Sequence, residues 1–220
     1  MKIGLGVFPR RQMRVVRGVT CAVLLILAAC VGGTTSAGIY TMPWDLQRGL
    51  NPFFARQVVA YPTHERPGTI IIEPASHFLY FIHDAAQAIR YGVGVGREGF
   101  VWSGLATVHS KREWPDWYPP AEMLVRKPEI RRYMAEMPGG LGMKGGPENP
   151  LGARALYLYS GNKDTLYRIH GTNEPWTIGT NVSSGCIRLT NEDIVDLYNR
   201  TPIGAKVFVF GAGKRAGAEQ

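Results

Sequence analysis

Short apolar runs separated by turn-forming clusters dominate the chain from Thr69 to Phe210. Thr69-Ile70-Ile71-Ile72-Glu73 is a β-branched run that predicts a strand, Pro74-Ala75-Ser76 a turn, and His77 to Ile82 a strand pairing back. His83 to Gln87 turns again, Ala88 to Val95 returns as a third strand, and Gly96-Arg97-Glu98-Gly99 closes it. Ala106 to Lys111, Ala153 to Tyr159, Thr165 to Ile169 and Val207 to Phe210 have the same strand character. Strands that follow one another through tight turns predict antiparallel pairing and a mainly β domain. One helix has a clear start at Thr190, an N-cap residue followed by Glu192 and Asp193 in the first turn. Ile194, Leu197 and Tyr198 would then face the core, and Pro128 to Met137 has a second, shorter helical pattern.

Two stretches break this rhythm. Residues 112–150 pass from an aromatic, proline-rich run (Trp114 to Pro120) to a glycine-rich one (Pro138 to Pro147), which reads as a flexible loop. An excursion of that length inside a compact domain is either a lid over a site or a surface insertion. Its glycines lack the Gly-Lys-Ser/Thr ending of a phosphate-binding loop. Residues 40–66 mix Pro43, Pro52 and Pro62 with Trp44, Phe53, Phe54 and Tyr61 without a period. They read as an irregular arm packed on the domain, because that aromatic content is unlike a disordered spacer.

The formal charge of +8 suggests an anionic partner until it is located. Residues 1–30 carry Lys2, Arg10, Arg11, Arg14 and Arg17 and no acid, so the remainder is only +3. Its basic residues are scattered and form no stripe, so no nucleic-acid partner is expected. The basic start and the apolar run Val19 to Ala29 have the form of a secretory signal, the run being short for a membrane span. Leu27-Ala28-Ala29-Cys30 resembles a bacterial lipobox, which makes Cys30 a candidate lipidation site. Ordinary cleavage after small residues, or an uncleaved anchor, stays open. The division expected is a signal at 1–30, a tether and arm at 31–66, a catalytic domain at 67–210 and a tail at 211–220. Cys21 and Cys30 belong to the export segment, which leaves Cys186 as the single thiol of an exported domain and a candidate nucleophile.

Around that thiol lie Arg168-Ile169-His170-Gly171-Thr172-Asn173 and Ser183-Ser184-Gly185-Cys186-Ile187-Arg188. A nucleophilic thiol needs a base, and imidazole is suited to that near neutral pH. Arg188 offers positive charge that favours a thiolate, and Gly185 lets backbone approach a substrate carbonyl as an oxyanion hole requires. The other histidines (His64, His77, His83 and His109) have no metal-ligand spacing, so no metal or other cofactor is expected.

His170-Gly171, about sixteen residues, and then Ser183-Ser184-Gly185-Cys186-Ile187-Arg188 resemble the signature of the L,D-transpeptidase catalytic domain, the YkuD family. The likeness runs from about Pro67 to Phe210. Papain-like peptidases place the cysteine before the histidine, and sortases use a different cysteine motif and a wider gap. The resemblance implies a mainly β domain, an antiparallel β-sandwich or mixed sheet with one or two short helices and a long lid-like insertion. It implies attack by Cys186 on the bond between the diamino acid and D-alanine of a peptidoglycan stem, with His170 as base and the Gly171 carbonyl orienting its ring. Backbone N–H groups of Ser184, Gly185 and Cys186 would form the oxyanion hole. Arg188 would bind a substrate carboxylate or organise the loop. Ser183 is a substrate contact or a turn residue, and Trp176 a cleft aromatic or a core or surface one.

The partners implied are stem peptides as donor and acceptor, an outer-membrane lipoprotein as another acceptor, and carbapenems as inhibitors, all in the periplasm. Water as acceptor would make the enzyme a hydrolase. A non-catalytic wall-binding domain is the reading of a different class.

Overall fold

The computed structural model describes residues 49–97 and 102–211. The expected signal at 1–30 with Cys30, most of the expected tether and the expected tail lie outside the described residues. The first hairpin follows the predicted pattern closely. Strands β2 (Ile70–Glu73) and β3 (Phe78–Ile82) pair antiparallel, and β4 (Gln87–Gly92) pairs back on β3. The turn between β3 and β4 is held by Asp84, whose Oδ1 accepts from the amides of Ala86 and Gln87 at 2.8 Å each.

The third strand ends earlier than its sequence suggests. After β4 the chain breaks at Val93-Gly94 and resumes as the two-residue β5 (Val95–Gly96). Gly94 exchanges backbone hydrogen bonds with Arg188, and a Cβ there would come within 2.9 Å of the Thr177 carbonyl oxygen. The break therefore lets two segments of the site approach main chain to main chain.

Beyond it come β6 (Gly104–Glu113), β9 (Arg154–Ser160) and β10 (Lys163–His170), then β11 (Asn181–Ser183), β12 (Ile187–Arg188) and β13 (Lys206–Val209). Among the described residues nine strands form one sheet in the order β1-β4-β3-β2-β13-β6-β9-β10-β12, where β1 is Gln57–Ala60. The sheet is mixed. Most pairs are antiparallel, but β13 runs parallel to β2 and β12 parallel to β10. β5 and β11 form a separate parallel ribbon.

The main core lies on one face of the sheet. Ile70, Ile72, Leu79, Tyr91, Leu156, Leu158 and Ile169 pack there with Ile194 and Leu197 of the helix Asn191–Arg200. Burying each such aliphatic side chain contributes roughly 1.5–3 kcal/mol. Ile71, Ile82 and Ala88 form a smaller cluster with Tyr61, Tyr80 and Phe208. Ile70-Ile71-Ile72 are therefore all buried, which explains why that strand reads as a continuous apolar run rather than an alternating one. The helix starts as expected, with the Thr190 hydroxyl accepting from the Asp193 amide at 3.1 Å.

The arm is more regular than its sequence suggests. It includes β1, which pairs with β4 and extends the sheet edge. Phe54 precedes it and seats its ring over Gly179, where a Cβ would lie 2.0 Å from that ring, and its backbone against Gly92. Arg56 reaches Glu192, Asp193 and Asp196 on the helix.

Candidate active site

Three strands deliver the chemistry. Parallel pairing places Ile169 beside Ile187 and His170 beside Arg188, so the histidine and the cysteine loop share one sheet edge. The pairing is closed by Leu189, whose amide donates to the His170 carbonyl at 2.9 Å. His170 and Cys186 line one cavity of about 1110 Å³, together with Arg188.

His170 is buried, with its Nδ1 2.5 Å from the Gly171 carbonyl oxygen. A carbonyl only accepts, so Nδ1 carries the proton and Nε2 holds the lone pair. Burial and the Arg188 guanidinium push the imidazolium down to about 3, against the opposing pull of the Gly171 carbonyl. Gly171 must be glycine for steric reasons. A Cβ there would meet Asn191 Oδ1 at 2.3 Å, and that oxygen accepts from the Ala153 amide.

Cys186 is half-buried. Burial raises its thiol, while the Arg168 backbone N–H and the guanidiniums of Arg168 and Arg188 pull the other way. The preceding turn is built by Ser183, whose buried hydroxyl donates to the Cys186 carbonyl at 2.6 Å and accepts from the Gly185 amide at 3.1 Å. Gly185 has φ +117°, a conformation that only glycine adopts readily.

Four expected roles meet the geometry here. Ser183 is committed to the turn rather than turned toward a ligand. The Gly185 N–H is already used by Ser183, so Ser184 and Cys186 carry the remaining amides of the expected oxyanion hole. Arg188 pairs through Nη1 with the half-exposed Glu174 at 3.1 Å, an arrangement that fits its expected loop-organising role. Trp176 stands 47% exposed on a single turn and is not among the residues that line the cavity.

The insertion forms the facing wall. It contains the helix α1 (Ala121–Arg126), a 3-10 segment (Pro128–Tyr133), and a small hairpin of β7 (Ala135–Met137) and β8 (Gly140–Gly142). The stretch Pro128 to Met137 is thus part 3-10 helix and part strand, and the glycine-rich loop begins with a strand. Met123, Arg126, Ile130 and Tyr133 face the cavity, and Arg126 donates to Ser184 Oγ at 3.4 Å.

The root of the insertion is fastened by Asn149, which sequence reasoning passed over. Its buried Nδ2 donates to the carbonyls of Pro115, Met143 and Lys144, and its Oδ1 accepts from the Leu151 amide. Next to it, Asn173 Nδ2 donates to the Glu148 carbonyl at 2.9 Å, joining the root to the turn after His170. The Asn149-Pro150 step beside a glycine-rich loop was the only signal available.

A bulge in β10 supplies a rim. Asp164 faces Tyr159 and Arg168 faces Tyr157, so four steps along β10 answer two along β9. Leu166 at its crest has φ +62° and is 76% exposed, with its amide held by Asp164 Oδ1 at 2.8 Å.

The L,D-transpeptidase catalytic domain model matches residues 67–209. The chain belongs to the L,D-transpeptidase catalytic domain family. It is 33% identical over 155 residues to the probable L,D-transpeptidase ErfK/SrfK of Escherichia coli K12, covering 69% of this chain and 46% of that protein. The probable L,D-transpeptidase YbiS of the same strain is also 33% identical over 155 residues, covering 69% and 47%. The chain spans about half the length of these relatives. A Brucella melitensis crystal structure described as a probable carnitine operon oxidoreductase caia is 46% identical, covering 76% of this chain and 99% of its own, with a TM-score of 0.48. In this chain His170, Ser183, Ser184, Cys186 and Arg188 line the same cavity.

Proposed function

We propose that this L,D-transpeptidase domain is a cysteine acyltransferase acting on peptidoglycan stem peptides in the periplasm. The observation that carries the reading is the orientation of His170: its Nδ1 is fixed on the Gly171 carbonyl while the ring borders the cavity that holds Cys186. That fixes the tautomer whose Nε2 accepts a proton.

In the first half-reaction, His170 Nε2 takes the thiol proton as Sγ bonds to the carbonyl carbon of the diamino acid. The Ser184 and Cys186 amides stabilise the resulting oxyanion. The C–N bond to D-alanine then breaks, and the proton on His170 passes to the departing amine. In the second, a neighbouring stem's side-chain amine attacks the thioester and His170 takes its proton. The C–S bond breaks, and the thiolate recovers the proton from the imidazolium. Atoms balance as donor plus amine giving cross-link plus D-alanine. A lipoprotein amine is a further acceptor, and carbapenems are expected to acylate Cys186 by the same attack.

A lowered imidazolium on His170 and a raised thiol on Cys186 favour proton transfer during attack over a standing thiolate–imidazolium pair. Export to the periplasm is supported by the basic start and the apolar run Val19 to Ala29, with Cys30 as a candidate lipid anchor.

The test is incubation with a purified disaccharide-tetrapeptide and mass spectrometry of the products, with Cys186→Ala alongside. A dimer lacking one D-alanine is expected, absent in the variant. A tripeptide monomer would make water the acceptor, and turnover by Cys186→Ala would sink the mechanism.

A further inference from the structure

The cavity is more cationic than the chemistry of Cys186 and His170 requires. Arg97, Arg126, Lys127 and Arg188 line it, against Glu148 and Glu174. Arg188 is paired with Glu174, whose side chain is 45% exposed, so these two charges largely offset each other. Two further cations of the described lining, Arg126 and Lys127, are both exposed and both at the end of the insertion helix.

Arg126 is the one placed against the nucleophile loop. Its Nη2 lies 3.4 Å from the hydroxyl of Ser184, two residues before Cys186. That is the long end of the hydrogen-bonding range, to an exposed neutral acceptor. A carboxylate oxygen in its place would form a shorter, charge-assisted and bidentate contact of the kind arginine favours. Three bonds, about 4 Å of covalent path, separate the attacked carbonyl carbon of the stem from the carboxylate of the residue that leaves. A guanidinium above residue 184 is suitably near for that group.

We propose that Arg126, with Lys127 beside it, binds the terminal carboxylate of the departing residue, so that the insertion selects donor stems by their free C-terminus. The assignment rests on the L,D-transpeptidase reading for the identity of the ligand. It makes Arg126 a substrate-binding residue supplied by the insertion rather than by the strands that carry Cys186 and His170. It also gives the insertion a chemical role beyond walling the cavity.

The experiment compares two ligands, a muramoyl-tetrapeptide ending in D-alanine and the same peptide ending in D-alaninamide. Affinities are measured on the full chain carrying Cys186→Ala, which leaves both ligands intact, alone and combined with Arg126→Gln or Arg126→Lys. The acid is expected to bind about 10-fold or more tightly than the amide, a difference of about 1.4 kcal/mol. Arg126→Gln should erase that preference by weakening the acid alone, and Arg126→Lys should restore part of it. Raising the salt concentration should shrink the preference as well.

Equal binding of acid and amide to the Arg126 protein would overturn the proposal. So would a preference that survives Arg126→Gln, or an equal loss for both ligands, which marks a merely structural arginine. D-Alanine release by the unsubstituted chain is measured separately. Its absence beside an intact acid preference would remove the transpeptidase reading and leave the carboxylate subsite standing.

Discussion

At the scale of single residues, the surroundings of His170 and Cys186 disfavour charge on both. Burial opposes charge on either group, so the imidazolium falls to about 3 and the thiol moves up from its ordinary value. Arg188 adds to this on His170 by repelling the imidazolium, yet on Cys186 it favours the thiolate. The consequence is a thiol whose intrinsic reactivity increases with pH. Alkylation of Cys186 by iodoacetamide should be slow at pH 5 and increase steadily from pH 6 to 9. A plateau of fast alkylation extending down to pH 5 would instead reveal a preformed thiolate–imidazolium pair. His170 and Cys186 were legible as candidates from motif and spacing, and the structure brings the two to one cavity. The hydrogen bonds of Ser183 and Arg188 were not legible. A hydroxyl and a guanidinium suit a turn or an ion pair as readily as a ligand, and only the positions of Gly185 and Glu174 decide between them.

At the scale of elements, the strands were readable where side-chain period and turn residues agree, as in Ile70 to Ile82. The sequence was least informative where a segment is organised by contacts distant along the chain. β1 pairs through Val58 and Ile89, and Phe54 fits a space left by Gly92 and Gly179, none of which a local pattern encodes. The positive φ of Leu166 is equally hidden, since no glycine or asparagine stands there and the bulge is held by Asp164. The insertion is the largest such case, because it has little core of its own and depends on Asn149. Removing that amide takes a donor from the carbonyls of Pro115 and Lys144 and an acceptor from the Leu151 amide, while the Met143 carbonyl keeps the Trp117 amide. The expected cost of Asn149→Ala is about 1–3 kcal/mol, felt locally. Hydrogen exchange should therefore accelerate roughly 5- to 100-fold at the amides of Trp117 and Met143, which bond each other across the root, with β2 and β3 unchanged. An equal loss of protection across the whole sheet would show that the root opens only when the domain unfolds.

At the scale of the whole molecule, two buried groups give the pH dependence of stability opposite signs. Folding lowers His170 from 6.5 to about 3, so between those values the unfolded chain holds a proton that the folded one lacks. Stability from this group is complete above pH 6.5 and is lost as pH falls toward 3. Asp193 behaves in reverse. Burial raises it from 3.8 to about 7, with Glu192 and Asp196 adding to the rise and Arg56 and the Thr190 cap opposing it. Between pH 4 and 7 the folded chain holds the extra proton, so stability falls as pH rises through that window and levels off above it. Each slope is at most about 1.4 kcal/mol per pH unit, and they overlap from about pH 4 to 6.5. There they oppose, and the native protein should have a flat midpoint in urea across that range. Asp164 and Asp196 are lowered from 3.8, so their stabilisation is lost only below about pH 4, outside the overlap. Single substitutions unmask the two components. Asp193→Asn should leave a midpoint that rises from pH 4 to 6.5, and His170→Gln one that falls over the same interval. The Asp193→Asn protein should also gain on the native one progressively up to pH 7, because it no longer ionises a carboxyl beside Glu192 and Asp196. Parallel profiles for the native chain and both variants would show that neither group changes its protonation on folding.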